Sequence, residues 1–184
     1  MSPKKIEIEY ERDMRAHPTL SNGAYFMLHM AEEQEIGRFY YLISSLMLSA
    51  FAIESYLNYI GEKHIASWKE IERMGPIDKI KEIGAISMID MDWGKRPYQT
   101  IISLFKFRND LAHAKPKILQ GKKFIQEDSF EDFDVKVFWE EYPTIENVQN
   151  AKSDVLKVME AIRRAFGETS GILENGLTSI VSEL

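Results

Sequence analysis

The densest apolar stretch in the chain runs from residue 39 to residue 60. There Leu42, Ile43, Leu46, Met47, Ala50, Phe51, Ile53, Leu57 and Ile60 leave little of a helix's circumference polar. Such a helix must be covered on several sides, which places it in the middle of a bundle. Gly61 reads as its stop. A second stripe, Tyr98, Ile101, Ile102, Leu104, Phe105 and Leu111, recurs at three- and four-residue spacings and predicts a helix over 98–113. Pro116 disfavours a helical Lys115 and ends that element near His113 or Ala114. A third stripe, Val148, Ala151, Val155, Val158, Met159, Ile162 and Phe166, predicts a helix over 144–166 with Gly167 at its end.

Weaker patterns fill the rest. Residues 1–18 are charged and irregular, with a short helix over 6–15. After Pro18 a helical pattern begins, capped by Ser21 or Asn22, with Phe26, Met30, Ile36 and Tyr40 in rough register and Gly37 breaking or bending it. Two short helices, 68–74 and 76–84, are divided by Gly75-Pro76, and the loop after them packs Met88, Ile89 and Trp93. Residues 115–143 are the least helical. Within them DVKVFW (134–139) alternates and reads as a short strand or hairpin arm against KKFIQ (122–126). We take 117–143 as an insertion beside the 98–113 helix, a candidate lid or specificity loop, and 169–184 as a tail with a short helix or a partner-docking role. The expectation is one all-α domain over 1–184, a helical bundle of four to five main helices. Its core runs from about residue 20 to residue 168, and the irregular insertion precedes the last long helix.

Composition narrows the function classes. With 184 residues, 45% of them hydrophobic, the chain suits one well-buried domain. It has no cysteine, which excludes disulfides, cysteine-ligated zinc and a thiol nucleophile. The opening MSPKKIEIEYERD has no apolar core behind its lysines, so no signal peptide is expected. The uncharged run 39–53 is short for a membrane span. A cytoplasmic protein without a membrane partner is the expectation.

The net charge of −6 argues against an indiscriminate nucleic-acid coat, and no DNA sequence recognition is expected. Charge is nevertheless uneven. Between residues 95 and 123 stand Lys95, Arg96, Lys106, Arg108, Lys115, Lys117, Lys122 and Lys123 against Asp110 alone, whereas 127–141 is acidic.

The basic stretch holds the candidate chemistry. Asn109 and His113 are four apart and share a helix face. Arg108 and His113 are five apart, about 140° around the axis, and do not meet by default within one helix. Either the arginine reaches round, the helix loosens at its end, or a second copy supplies the complement. Glu54 interrupts the central apolar helix, so it either turns to solvent or finds a cation; Arg108 is the attractive partner because the pair would orient the guanidinium. Phosphate-binding loops, glycine-flanked serine elbows and paired carboxylate–histidine motifs for a two-metal centre are missing. His29 and Glu33 have metal-ligand spacing but no second pair, and read as an exposed helix face. No metal or cofactor is expected. Arg and His in a helix's last turn also suit its negative end without any further role.

The motif stands as Arg108-Asn109-Asp110-Leu111-Ala112-His113, ending at Lys115-Pro116, downstream of a helix reading AFAIESYLNYI in which Glu54 and Asn58 are one turn apart. In these features residues 39–166 resemble the HEPN superfamily of helical domains, many of which are RNases. The resemblance implies a metal-independent endoribonuclease acting as a homodimer, with Arg108 on phosphate, His113 in proton transfer and Asn109 assisting. Glu54, Asn58, Lys106, Lys115 and Lys117 would support the site or bind RNA. It also implies a toxin or defence effector restrained by an antitoxin or other regulatory protein. The alternative is a catalytically inactive HEPN-like module for protein interaction or nucleotide sensing.

Overall fold

A computed structural model describes residues 6–122, 135–174 and 176–183. The chain is an all-α bundle in which α2 (Arg38–His64) is the axis, touching α1 (His17–Glu33), α4 (Pro76–Ile86), α5 (Tyr98–Ala112) and α7 (Ile145–Ala165). Two single-turn helices, α3 (Trp68–Ile71) and α6 (Phe138–Glu141), fill corners. Leu46, Ile53, Leu57 and Ile60 of α2 are fully buried, as its all-round apolar pattern requires. By length and composition alone α2 could cross a membrane, yet half of that stretch is buried inside the bundle.

Several expectations are corrected. Gly61 does not stop α2, which continues to His64. A Cβ at Gly61 would lie 2.1 Å from the Trp68 ring, so the glycine is there to let the indole approach the helix. The first helix begins at His17 with Pro18 in its first turn, where no amide donor is needed, so Ser21 and Asn22 lie inside it rather than capping it. Its buried face is Ala24, Leu28 and Ala31, while Phe26, Ile36 and Tyr40 are exposed. The small residues bring α1 close to α2, and Ser45 Oγ donates to the Ala24 carbonyl at 2.7 Å. Met88 has positive φ and is exposed, whereas Ile89 and Trp93 pack on the core.

Residues 138–139, expected in a strand, belong to α6. Lys122 is in no strand, and the rest of the opposing arm, 123–126, lies outside the described residues, as does most of the acidic run. The chain ends form an antiparallel two-stranded ribbon, β1 (Ile6–Asp13) with β2 (Gly176–Glu183), in place of the short helices expected there. The packing before it explains how the ends meet. Glu168 takes Lys63 at 2.7 Å and His64 at 2.5 Å, and Arg15 Nη1 donates to Ser170 Oγ at 3.0 Å. The start of α1 and the exit of α7 are thereby drawn to the C-terminal end of α2.

The last long helix follows its predicted stripe, with Thr144 Oγ1 accepting from the Asn147 amide at 3.1 Å as its N-cap. Gly167 at φ +67° turns the chain away. Asp154, on the buried side of α7, is fully enclosed. It takes Arg96 Nε at 2.6 Å, Thr100 Oγ1 at 2.7 Å and Lys157 Nζ at 3.2 Å, which fixes the start of α5 against α7. Burial pushes its carboxyl up, but these three donors outweigh burial and hold it below the ordinary 3.8.

Candidate functional site at the end of the fifth helix

The inward face of α5 is Tyr98, Ile101, Leu104, Phe105 and Phe107. Ile102, expected among them, is 42% exposed, and Phe107, absent from the predicted stripe, is fully buried. Phe107 is covered because the segment after α6 packs on a second side of the helix: its ring lies 5.6 Å from that of Tyr142. Covering on two sides leaves a narrow polar strip that carries Lys106, Asn109, Asp110 and the residues following the helix.

Arg108 turns toward α2. Its Nη2 donates to Glu54 Oε2 at 3.3 Å, and both side chains are about three-quarters enclosed. Nη1 donates to Asn109 Oδ1 at 2.9 Å, and the guanidinium carbon lies 5.9 Å from the centre of the Phe51 ring. The pairing expected between Glu54 and Arg108 is therefore present, tying the central helix to α5 and fixing the plane of the guanidinium.

His113 is the C-cap of α5, its amide donating to the Asn109 carbonyl at 2.9 Å. Its side chain is exposed and fronts an open cleft of about 970 Å³. Asn109, Lys115 and Lys117 share that cleft, and Phe138 and Trp139 of α6 form the opposing wall. Arg108 does not line the cleft; Asn109 links it to the cleft through the bond just described. Within one chain, then, the arginine and the histidine look to different sides of the helix end, as their spacing predicts.

Of the supporting residues, Lys106 lies at the cleft and Asn58 does not. Lys106 lines the cleft but is committed: Nζ bonds Asp110 Oδ2 at 2.6 Å and sits 3.5 Å from the centre of the Phe138 ring, so it fastens α6 to α5. Asn58 is not at the cleft. It accepts from Lys79 Nζ at 2.8 Å and faces the groove beside Tyr59 and Lys63. Sequence reasoning missed the aromatic wall, because Phe138 and Trp139 were placed in a strand. His29 pairs with Glu33 at 3.4 Å on an exposed face. Among the described residues no group of three or more metal-ligating side chains comes together.

The fold and the cleft together define a class: a helical bundle presenting an arginine, an asparagine and an open histidine at one helix end, beside Lys115, Lys117 and an aromatic wall. Comparison with models of known families, with curated proteins and with solved structures finds no match.

Proposed function

We propose that the protein is a metal-independent endoribonuclease of the HEPN type that works as a homodimer. The observation that carries this function is the join at Asn109. Arg108, held by Glu54, donates to an asparagine that shares a solvent-open cleft with His113, and the cleft's rim bears Lys115 and Lys117.

In the proposed reaction the ribose 2′-oxygen forms a bond to the adjacent phosphorus as the bond from phosphorus to the 5′-oxygen breaks. The 2′-hydroxyl gives its proton to a neutral imidazole, and a protonated imidazole gives one to the departing 5′-oxygen. The products are a 2′,3′-cyclic phosphate and a 5′-hydroxyl. One His113 does not serve both ends of a single displacement, so a second copy brings the other, and with it the Arg108 guanidinium that holds the charged phosphoryl oxygens. Phe51, 38% exposed beside Arg108, offers apolar surface for that second copy.

A catalytically silent helical module is the competing function, favoured by one fact. The guanidinium of Arg108 is already paired inside the chain, so its structural role is sufficient by itself to explain it. Assays of Arg108→Ala and His113→Ala on single-stranded RNA separate the two. For a ribonuclease each variant loses cleavage by at least about 100-fold, with thermal unfolding and dimerisation nearly unchanged. Loss of folding in His113→Ala, or cleavage that persists in both variants, removes the enzyme from consideration.

A further inference from the structure

A second cavity, about 340 Å³, lies between α1, α2 and α7, and the site at the end of α5 makes no use of it. Its walls are aliphatic, with Ala24 and Ala52 buried at its back and Val155, Leu156 and Leu173 around them. The size falls within the range of small-molecule sites, which are mostly apolar with a few placed polar groups.

Besides the exposed Asn22 and Tyr25, three polar residues border the cavity. Ser21 Oγ is sealed off even from water and, among the described residues, has no hydrogen-bond partner, a state that buried hydroxyls rarely keep, so it lies behind the lining. Ser49, 2% exposed, brings a second hydroxyl. Lys152 supplies the charge. Its Nζ rests on the Tyr25 ring, 3.7 Å from the centre, and among the described residues it forms no ion pair. Glu32, the acid that acts on it, instead accepts from Gln149 Nε2 at 2.8 Å. Partial burial lowers the ammonium's pKa from its ordinary 10.5, with Glu32 opposing, so an incoming anion would relieve a desolvated cation.

We propose that this cavity binds a small apolar monocarboxylic acid, its carboxylate on Lys152 and its body against the aliphatic walls. One cation matches one negative charge, whereas a phosphate dianion would be left short of donors. A neutral alcohol of the same shape would cover the walls and leave the ammonium unanswered.

Calorimetric titration of the full chain with sodium octanoate, sodium benzoate and 1-octanol tests this. At least one of the acids is expected to bind saturably at one site per chain, octanoate at least tenfold more tightly than 1-octanol if the body is aliphatic. Lys152→Met, on a partly exposed helix position, removes the acid's advantage with the circular dichroism unchanged. Tight benzoate with weak octanoate also supports the proposal and makes the preferred body a flat ring. The proposal is overturned if neither acid saturates at millimolar concentration, if octanol equals octanoate while benzoate fails, or if Lys152→Met binds the acids like the parent chain.

Discussion

Glu54 sits on a helix that is otherwise apolar over most of its surface, and its carboxylate finds Arg108 of the neighbouring helix at 3.3 Å. Because both side chains keep about a quarter of their surface in water, the pair contributes little to stability, less than about 1 kcal/mol. Its consequence is orientation. On the proposed function, Glu54→Gln is therefore expected to lower RNA cleavage by up to about 100-fold, the scale of a misplaced positioning group, with a melting temperature close to the parent's. Equal activity in the variant would show that the pair does not aim the guanidinium. Asp154 presents the opposite balance: the acid is enclosed, but Arg96 and Lys157 are themselves about half exposed. Asp154→Ala should cost about 1–3 kcal/mol in urea unfolding, by releasing the start of α5. The Glu54–Arg108 pair was legible in the sequence because a charge on an apolar helix has few possible partners. The Lys106–Asp110 pair could have been read from its i, i+4 spacing, and Asp154 was missed although its spacing from Ala151 and Val158 puts it on the buried stripe.

Helices whose apolar stripes are long and regular, α2, α5 and α7, were legible nearly to their ends. Where the rule for a single residue met tertiary packing, packing won. Gly61 reads as a terminator, yet the helix runs through it because Trp68 needs the space; Gly61→Ala is expected to lose about 1–3 kcal/mol by overpacking, measurable as a lower denaturant midpoint. The ribbon joining the chain ends was not legible as a pair, since β1 and β2 come from opposite ends of the chain. Its first strand did carry a signal, Ile6, Ile8 and Tyr10 alternating with Glu7, Glu9 and Glu11. The aromatic wall opposite His113 was hidden for another reason. Phe138 and Trp139 sit in a four-residue helix too short to show any period, and Phe138 is held in place by Lys106 and Tyr142.

For the molecule as a whole, the closure of the chain ends predicts its response to acid. His17 is 1% exposed, stacked edge-on against Tyr56, with Tyr59, Arg15, Arg163 and Glu168 around the same small cavity. Burial lowers its pKa to about 4, the nearby Arg15 adding to the effect and Asp13 and the Ile172 backbone opposing it. A depressed imidazole favours the neutral form in the folded state, so the unfolded chain binds more protons between its pKa of 6.5 and about 4. The stabilisation is complete above about pH 6.5 and is lost as pH falls toward 4, by as much as about 3 kcal/mol. Denaturant unfolding between pH 7 and pH 4 should show this slope in the parent chain and a flatter one in His17→Phe; equal slopes would place the acid sensitivity elsewhere.

At the same scale, on the proposed function, the net charge of −6 would confine RNA to the basic helix end, where Lys115 and Lys117 flank His113. The proposed chemistry also leaves a signature that no contaminating metal-dependent nuclease reproduces. The decisive measurement is the terminal structure of the products when the purified protein is incubated with a defined single-stranded RNA in excess EDTA. The account predicts fragments ending in 2′,3′-cyclic phosphate and 5′-hydroxyl, formed by the parent chain and not by a folded His113→Ala variant. Undiminished cleavage by that variant, inhibition by the chelator, or 5′-phosphate ends would contradict it.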